Sequence, residues 1–400
     1  MICARDIRAA GHSVLVLEAS GRVGGRIHTH ARVVDGFSED LGAEWVQPKV
    51  HHHFMKELAL AELSLMVDSG KDSGNDSAAF ESDSFASFSA AVRPSLIAAI
   101  DKDAARVPLD ALFSSSVSDL DDVSFDAYLR SHHGATDEEA AAFETIIYPF
   151  TGCASDEISS LYMIREARQF GGFSAMLREG EARIEGGMAA LPRVLARQLG
   201  DATIRLDSIV DRVAEAADDD MVNVTLTNGV TCCARVVVVA VPFNVLHRID
   251  FDPPLPQSIR TASIRGHAGL ATKVWQAPDT RHFSSPPPLR LAYAGCGALA
   301  GTRECVISSG GVGLPRMDDD SAHFHNWALD PYAGGTWLAP RPGQHAVLES
   351  LRTAAGRILF AGGDLASSWP GWMEGAVVSG VEAAGRAIGV VRLQAPDRGR

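Results

Sequence analysis

Apolar and polar positions along this chain follow two different periods, and the switches between them mark its elements. "ICARDIRAAG" sets Ile2, Ile7 and Ala10 on one face of a helix, with Gly11 as its C-terminal stop. "SVLVLE" follows as an apolar run closed by Glu18, the pattern of a parallel strand. A second short strand is predicted near Ser38 to Leu41, before "GAEWVQP". From Asp68 to Ser89 the chain is rich in Ser, Asp and Gly, a loop composition. Ala90 to Glu179 carries apolar residues at helical spacing with few β-branched runs. The character changes near Gly186. "GGMAALPRVLARQLG" predicts a helix stopping at Gly200, and "ATIRL", "IVDRVAEA" and "MVNVTLTNG" predict short strands. "RVVVVAVP" is continuously apolar, which predicts a strand buried on both faces. Phe251 to Gly335 mixes strands with Pro- and Gly-rich loops, and the chain closes with a buried strand "RILFAGGD" and a small-residue helix "GAVVSGVEAAGRAIGVV".

The expected buried strands, 14–17, 236–241 and 358–361, lie far apart in sequence yet share glycine borders. One parallel nucleotide-binding sheet assembled from separated segments accounts for them, an α/β fold of Rossmann-like type. The stretches between would be insertions forming a second, mixed α+β domain.

Composition narrows the function. The chain has 400 residues and a net charge of −14. An acidic surface argues against nucleic acid and anionic membranes as partners. Six cysteines show no C-x-x-C pair and no metal-ligand spacing, so buried reduced thiols in a cytoplasmic protein are expected. No stretch is apolar enough to span a bilayer, no secretory leader pattern opens the chain, and its polar end shows no tail anchor.

Glu18 at a strand end can accept both hydroxyls of a ribose; as a lone acid it would be a surface residue. The "GRVGGR" turn beside it strengthens the first reading. Gly24 and Gly25 let backbone N–H groups approach a pyrophosphate, and Arg22 and Arg26 can neutralise it. "IEGGMAALP" offers a second glycine pair before a helix, with an ordinary loop as the equal alternative. "FAGGDLASSWPGWMEGA" is the most specific stretch. Gly363 and Asp364 end a strand, Trp369 and Trp372 share a tight turn, and Met373 to Ala376 open a helix whose N–H groups can face an electron-rich acceptor. "NWALDPYAGGTW" brackets another turn with Trp327 and Trp337. Lys273, alone, reads as a solvated strand lysine. His51, His52 and His53 read as decoration of a helix start, and the Asp318–320 run with His323 and His325 reads as a solvated turn; no metal site is expected.

Together these residues resemble the flavin-containing amine oxidases, closest to the monoamine oxidase branch, over nearly the whole chain. The resemblance implies a GR2-type FAD-binding domain built from 1–68, 183–250 and 335–393, with a substrate domain from 69–182 and 251–334. It places Glu18 at the ribose, Arg26 near the phosphates, and Glu44 and Trp45 in the following cofactor-side turn. "DSIVDRV" puts Val210 against the adenine, and "VVVVAVPFNVLHRIDFDPPLP" is a family signature joining the domains. Lys273 falls where the family holds a water against flavin N5. Trp327 lies beside the flavin, and Trp337 and Trp372 form the walls of an aromatic cage where relatives commonly carry tyrosines. Thr336 stands where some relatives have a flavin-linked cysteine, so the FAD is expected to be non-covalent. The implied reaction is hydride transfer from a small primary or secondary amine to N5, with oxygen reduced to hydrogen peroxide. The implied partners are that amine and molecular oxygen, and a homodimer is compatible with the reading.

This sequence departs from the family in three places. The family's first strand and Gly-rich loop would lie before Met1, the link from Ser308 to His325 is short, and the Asp68–Ser89 tract is unusually polar. Two other readings stand beside the first: an L-amino-acid oxidase using Arg165 or Arg168 for a carboxylate, and an inactive remnant that does not hold FAD.

Overall fold

The computed structural model describes residues 1–34, 37–67, 87–177, 182–216, 220–276, 291–294, 305–309 and 322–393. Residues 68–86 of the polar tract, Asp318–320 and most of the short link lie outside them. Helix α1 (Ile2–Ala9) leads to β1 (Val16–Leu17), which ends at Glu18. The hairpin β2 (Thr29–Val34) and β3 (Phe37–Asp40), helix α2 (His52–Leu60) and β4 (Leu65–Val67) follow. A helical stretch then holds α3 (Pro94–Ala104), α4 (Asp137–Thr151) and α5 (Ser160–Phe170). Helix α4 starts with a capping box, Thr136 with Glu139, and stops at Gly152 with φ +72°. Ser159 caps α5, and Gly171 ends it at φ +82°. These local signals are why the helical pattern breaks where it does.

Strand β5 (Ala182–Ile184) returns to pair antiparallel with β4. Helix α6 (Ala190–Leu199) and β6 (Ile204–Arg205) come next, and β6 lies parallel to β1. A four-stranded sheet contains β7 (Val210–Glu215), β8 (Val222–Leu226) and β9 (Thr231–Ala234), with β11 (Asp250–Asp252) beside β7. Val222, Val224 and Leu226 of β8 are buried while the residues between them are not, the period of a half-covered strand. Strand β10 (Val237–Val239) precedes β11 and pairs parallel with β16 (Ile358–Phe360), in register Val238 to Leu359. Lys273 lies on β12 (Ala271–Gln276), flanked by β14 (Cys305–Ser309) and β15 (Ala322–Asn326), with β13 (Leu291–Ala294) outside β14. The 21-residue helix α9 (Met373–Leu393) follows β16, with α7 (Gln257–Arg265) and α8 (Gln344–Arg352) earlier in the chain.

The strands expected at 236–241 and 358–361 do pair in parallel. The strand at 14–17 does not join them: β1 pairs with β6 instead. Nor are β1 and β10 buried on both faces. Leu15 is 39% exposed, and Val237 and Val238 are half-buried. Each strand is paired along one edge among the described residues, so an apolar run alone overstated its cover.

A core of α3, α4 and α5 side chains, including Leu96, Ile100, Phe143, Ile147, Leu161 and Ile164, fills the helical part. Trp369, from the turn before α9, is buried in this same core, and Trp372 packs against it. That insertion fastens the C-terminal turn to the helical part. No helix of the described residues is long and apolar enough to cross a membrane.

Candidate active site

The turn after β1 is held from within. Glu18 accepts hydrogen bonds on one carboxylate oxygen from the Ser20 N–H (2.9 Å) and hydroxyl (2.8 Å). Gly24 and Gly25 take φ +113° and +56°, backbone that a side chain rarely adopts. A Cβ on Gly42 would sit 2.1 Å from the Arg26 carbonyl oxygen, so the "GAEW" turn lies directly on "GRVGGR". Arg22 donates to the Ile27 carbonyl at 3.0 Å, and burial lowers its pKa. Arg26 donates to the Thr336 carbonyl at 2.6 Å and pairs with Asp364 at 2.7 Å. The other Asp364 oxygen accepts the Phe243 N–H at 3.0 Å. Burial alone would raise the Asp364 carboxyl. Arg26, His267 and that N–H together bring it below its ordinary value, so it stays ionised. One guanidinium thus joins three of the expected segments.

Lys273 does not face solvent. It is 6% exposed, and its ammonium donates to the Gly42 carbonyl at 3.0 Å and forms an ion pair with Glu44. The other Glu44 oxygen meets Arg183 at 2.9 Å, and Arg183 lies over the Trp45 ring at 4.1 Å. The three residues Lys273, Glu44 and Trp45 are therefore one cluster.

The aromatic residues gather at the seam between the helical core and the α9 turn. The Trp337 indole N–H donates to the Phe150 carbonyl at 3.1 Å, and the Phe150 ring lies 6.0 Å from the Trp372 ring. Trp337 and Trp372 reach the same residue from two sides but are not in ring contact with each other. Trp372 also meets His51, Phe170 and Trp369 at 5.1, 5.9 and 5.9 Å. Its indole N–H donates to Glu166 at 2.9 Å. Burial pushes His51 down to about 3, so this ring is neutral. Trp327 is buried elsewhere, against His325 (4.1 Å) and with its N–H on the Leu41 carbonyl (2.8 Å).

Met373 is buried with Ile2 and Val377. Ala376, one turn into α9, is exposed, and Gly363 faces it: a Cβ there would lie 3.8 Å from the Ala376 Cβ and from Arg26. Val210 opens β7, half-buried. The glycine pair before α6 has a packing reason instead. A Cβ on Gly187 would sit 2.4 Å from Thr29, and the Met188 and Ala189 N–H groups are taken by Asp40 and Thr29. That helix start is capped by the β2–β3 hairpin.

Of the two arginines of the amino-acid-oxidase reading, one is already engaged. Arg165 is buried with its guanidinium on the Pro108, Ala111 and Leu112 carbonyls, and Arg168 is exposed. His53 and the N–H groups of His53 and Phe54 bond Glu374 of α9, which caps α2. His325 pairs with Asp330, while His323 and His30 both meet Glu39. The His30 and His323 rings stack at 4.2 Å and 23°, with both Nδ1 atoms on the same Glu39 oxygen. Sequence reasoning passed over Glu166, Gln169, Phe150 and Arg183, and read His51 only as decoration of a helix start. Glu166 carried a signal, since it falls four residues from both Tyr162 and Phe170 on the apolar face of α5.

The residues fit a flavin dinucleotide. Gly24, Gly25 and Gly363 leave backbone open where side chains would intrude, and Ala376 opens the first turn of a long helix. Buried Thr336 Oγ1 and Thr272 Oγ1, the latter next to Lys273, have no hydrogen-bond partner among the described residues. Comparison with known proteins agrees. The profile of flavin containing amine oxidoreductases matches residues 1–292 and 314–388. (S)-6-hydroxynicotine oxidase of Paenarthrobacter nicotinovorans is 27% identical over 413 residues, spanning 94% of this chain and 93% of its own. Pseudooxynicotine dehydrogenase of a Pseudomonas species is 27% identical over 427 residues, spanning 95% and 82%. The solved cyclohexylamine oxidase of Brevibacterium oxydans shares the fold at a TM-score of 0.73 and 20% identity, over 98% of this chain and 97% of that one. The chain belongs to the flavin-containing amine oxidoreductases, enzymes that oxidise amine donors, and its cofactor is FAD.

Proposed function

We propose that this enzyme oxidises a small primary or secondary amine to an imine, passing the electrons on to oxygen with release of hydrogen peroxide. The observation that carries the reading is the contiguity of the aromatic seam with the cofactor turn. Trp337 directly follows Thr336, whose carbonyl holds Arg26, and a Cβ on Gly363 would lie 3.6 Å from the Trp372 carbonyl oxygen. When bound, FAD would supply the two-electron acceptor for amine oxidation. The chain does the rest. Trp337 and Trp372 align a neutral amine and exclude water. Lys273, held by Glu44, would hold a water for the reaction. Glu18 would hold the ribose, and Arg22, Arg26, Gly24, Gly25 and Gly363 the pyrophosphate side. Val210 would face the adenine, and Trp45, Trp327, Asp364, Met373 and Ala376 would frame the ring system. In this reading 1–68, 183–250 and 335–393 form the FAD domain, and 69–182 with 251–334 the substrate domain. The engagement of Arg165 with loop carbonyls favours an amine without a carboxylate.

The test is spectroscopic. The purified chain is incubated with FAD, freed of excess and titrated anaerobically with primary and secondary amines. Bleaching of the flavin bands, then recovery with stoichiometric peroxide on admitting air, is the expected result. Protein that keeps no flavin, or flavin that no amine bleaches, would overturn the proposal. Because one relative is named a dehydrogenase, bleaching without reoxidation by air would move the acceptor from oxygen to an electron carrier.

A further inference from the structure

We propose that Glu166 is a positioning residue for amine oxidation: from helix α5 it fixes the indole plane of Trp372 and thereby the width of the amine slot. This rests on the reading of Trp372 as a slot wall. Glu166 is fully buried, where a carboxylate persists only if its oxygens are satisfied. It forms no ion pair among the described residues, since its neighbour Arg165 spends its guanidinium on loop carbonyls. Its two oxygens go to the Trp372 indole N–H (2.9 Å) and the Gln169 amide (3.0 Å). Gln169 in turn accepts the backbone N–H of Trp369. Trp369 stands at φ +53°, a conformation a bulky residue holds only when its surroundings enforce it. So α5 grips the Trp369–Trp372 turn twice, once at its first backbone N–H and once at its last side chain.

The other contacts of the Trp372 ring are with His51, Phe150, Phe170 and Trp369, tilted or edge-on at 5.1 to 6.0 Å. Such contacts tolerate sliding; the indole hydrogen bond is the directional one. Leucine at this position would leave the Trp372 indole N–H and the Gln169 amide without their acceptor, so its stability cost alone does not distinguish the roles and the amine-width and indole readouts do. Burial pushes the Glu166 carboxyl up to about 8, and glutamine, uncharged, keeps one acceptor for the Trp372 indole N–H while giving up the second, which serves Gln169.

The experiment compares Glu166→Gln, Glu166→Leu, Trp372→Phe and the Glu166→Leu/Trp372→Phe double variant as FAD-loaded enzymes, with methylamine, cyclohexylamine and benzylamine as probes of graded width. Glu166→Leu should keep its FAD, lose about tenfold in kcat/KM with the narrowest amine the wild type accepts, and change the near-UV circular dichroism of the indoles. Glu166→Gln should restore both to within about twofold, and Glu166→Leu should cost nothing more once Trp372 is Phe. Equal behaviour of Gln and Leu, or an undiminished Leu effect in the Phe background, overturns the proposal. If Trp372→Phe and Trp372→Ala both oxidise amines at wild-type rates, the slot reading itself fails. If no probe is oxidised by wild type, the near-UV signal decides: a change in Leu but not in Gln upholds the grip on Trp372, and no change in either refutes it.

Discussion

Lys273→Met keeps the reach of the side chain and deletes its charge. Glu44, 3% exposed, would then face Arg183 alone, still at 2.9 Å from its far oxygen. Removing one partner of a buried pair costs about 3–5 kcal/mol when nothing replaces it. Arg183 replaces part of it, so a loss of about 2 kcal/mol is expected. Glu44→Gln removes the stranded carboxylate, so the double variant should be more stable than the two single losses predict, by about 1–2 kcal/mol of coupling. Urea unfolding of the four FAD-loaded proteins at pH 7 measures this. Stopped-flow reduction and reoxidation on the same samples separate fold from chemistry. Arg183 still anchors the cluster, so Lys273→Met should retain FAD while one of the two flavin rates falls. Coupling below about 0.5 kcal/mol would refute the ion-pair argument. Unchanged flavin rates would remove Lys273 from the reaction whatever its effect on stability.

Trp372→Ala should lower amine turnover more than FAD content, measured by absorbance per protein; parallel losses would reduce it to a packing residue. Asp364→Asn leaves the half-buried Arg26 half-paired, so it should cost about 1.5–3 kcal/mol in unfolding free energy and lower FAD retention after gel filtration; full retention would detach this pair from the cofactor. Burial pushes His28, His51 and His267 down to about 4, 3 and 4. Their unfolded forms take up protons near pH 6.5 and the folded forms do not, so their contribution is intact above 6.5 and is lost as pH falls toward 4. Asp40 and Glu166, raised by burial to about 6 and 8, act in the opposite sense as pH rises. His51→Phe should therefore lose less stability than wild type between pH 6.5 and 4.5; identical losses would mean that His51 is already charged when folded.

What could be read from the sequence was what is local. Gly24 and Gly25 announce themselves within a few residues, because turns with positive φ demand particular residue types, and Gly363, Asp364 and the Trp369–Trp372 turn form one local motif. Lys273 was placed by resemblance, but its partner was not, since Glu44 lies 229 positions away and an ion pair leaves no periodicity. Glu166 was hidden for the same reason, 206 positions from the indole it holds. Gly187 misled in the other direction: a glycine before a helix signals close approach without saying whether a ligand or a hairpin does the approaching. The cover of β1 and β10 was overstated because an apolar run does not tell how many neighbours a strand has.

Arg26 has its acceptors 310 and 338 positions further along the chain. During synthesis it therefore leaves the ribosome long before either exists. At about 5–20 residues per second, roughly twenty seconds to a minute pass before Asp364 emerges. Throughout that interval the glycine turn is a half-built cradle with an unanswered positive charge. The contacts that tie the glycine turn to the C-terminal third of the chain are thus made almost last.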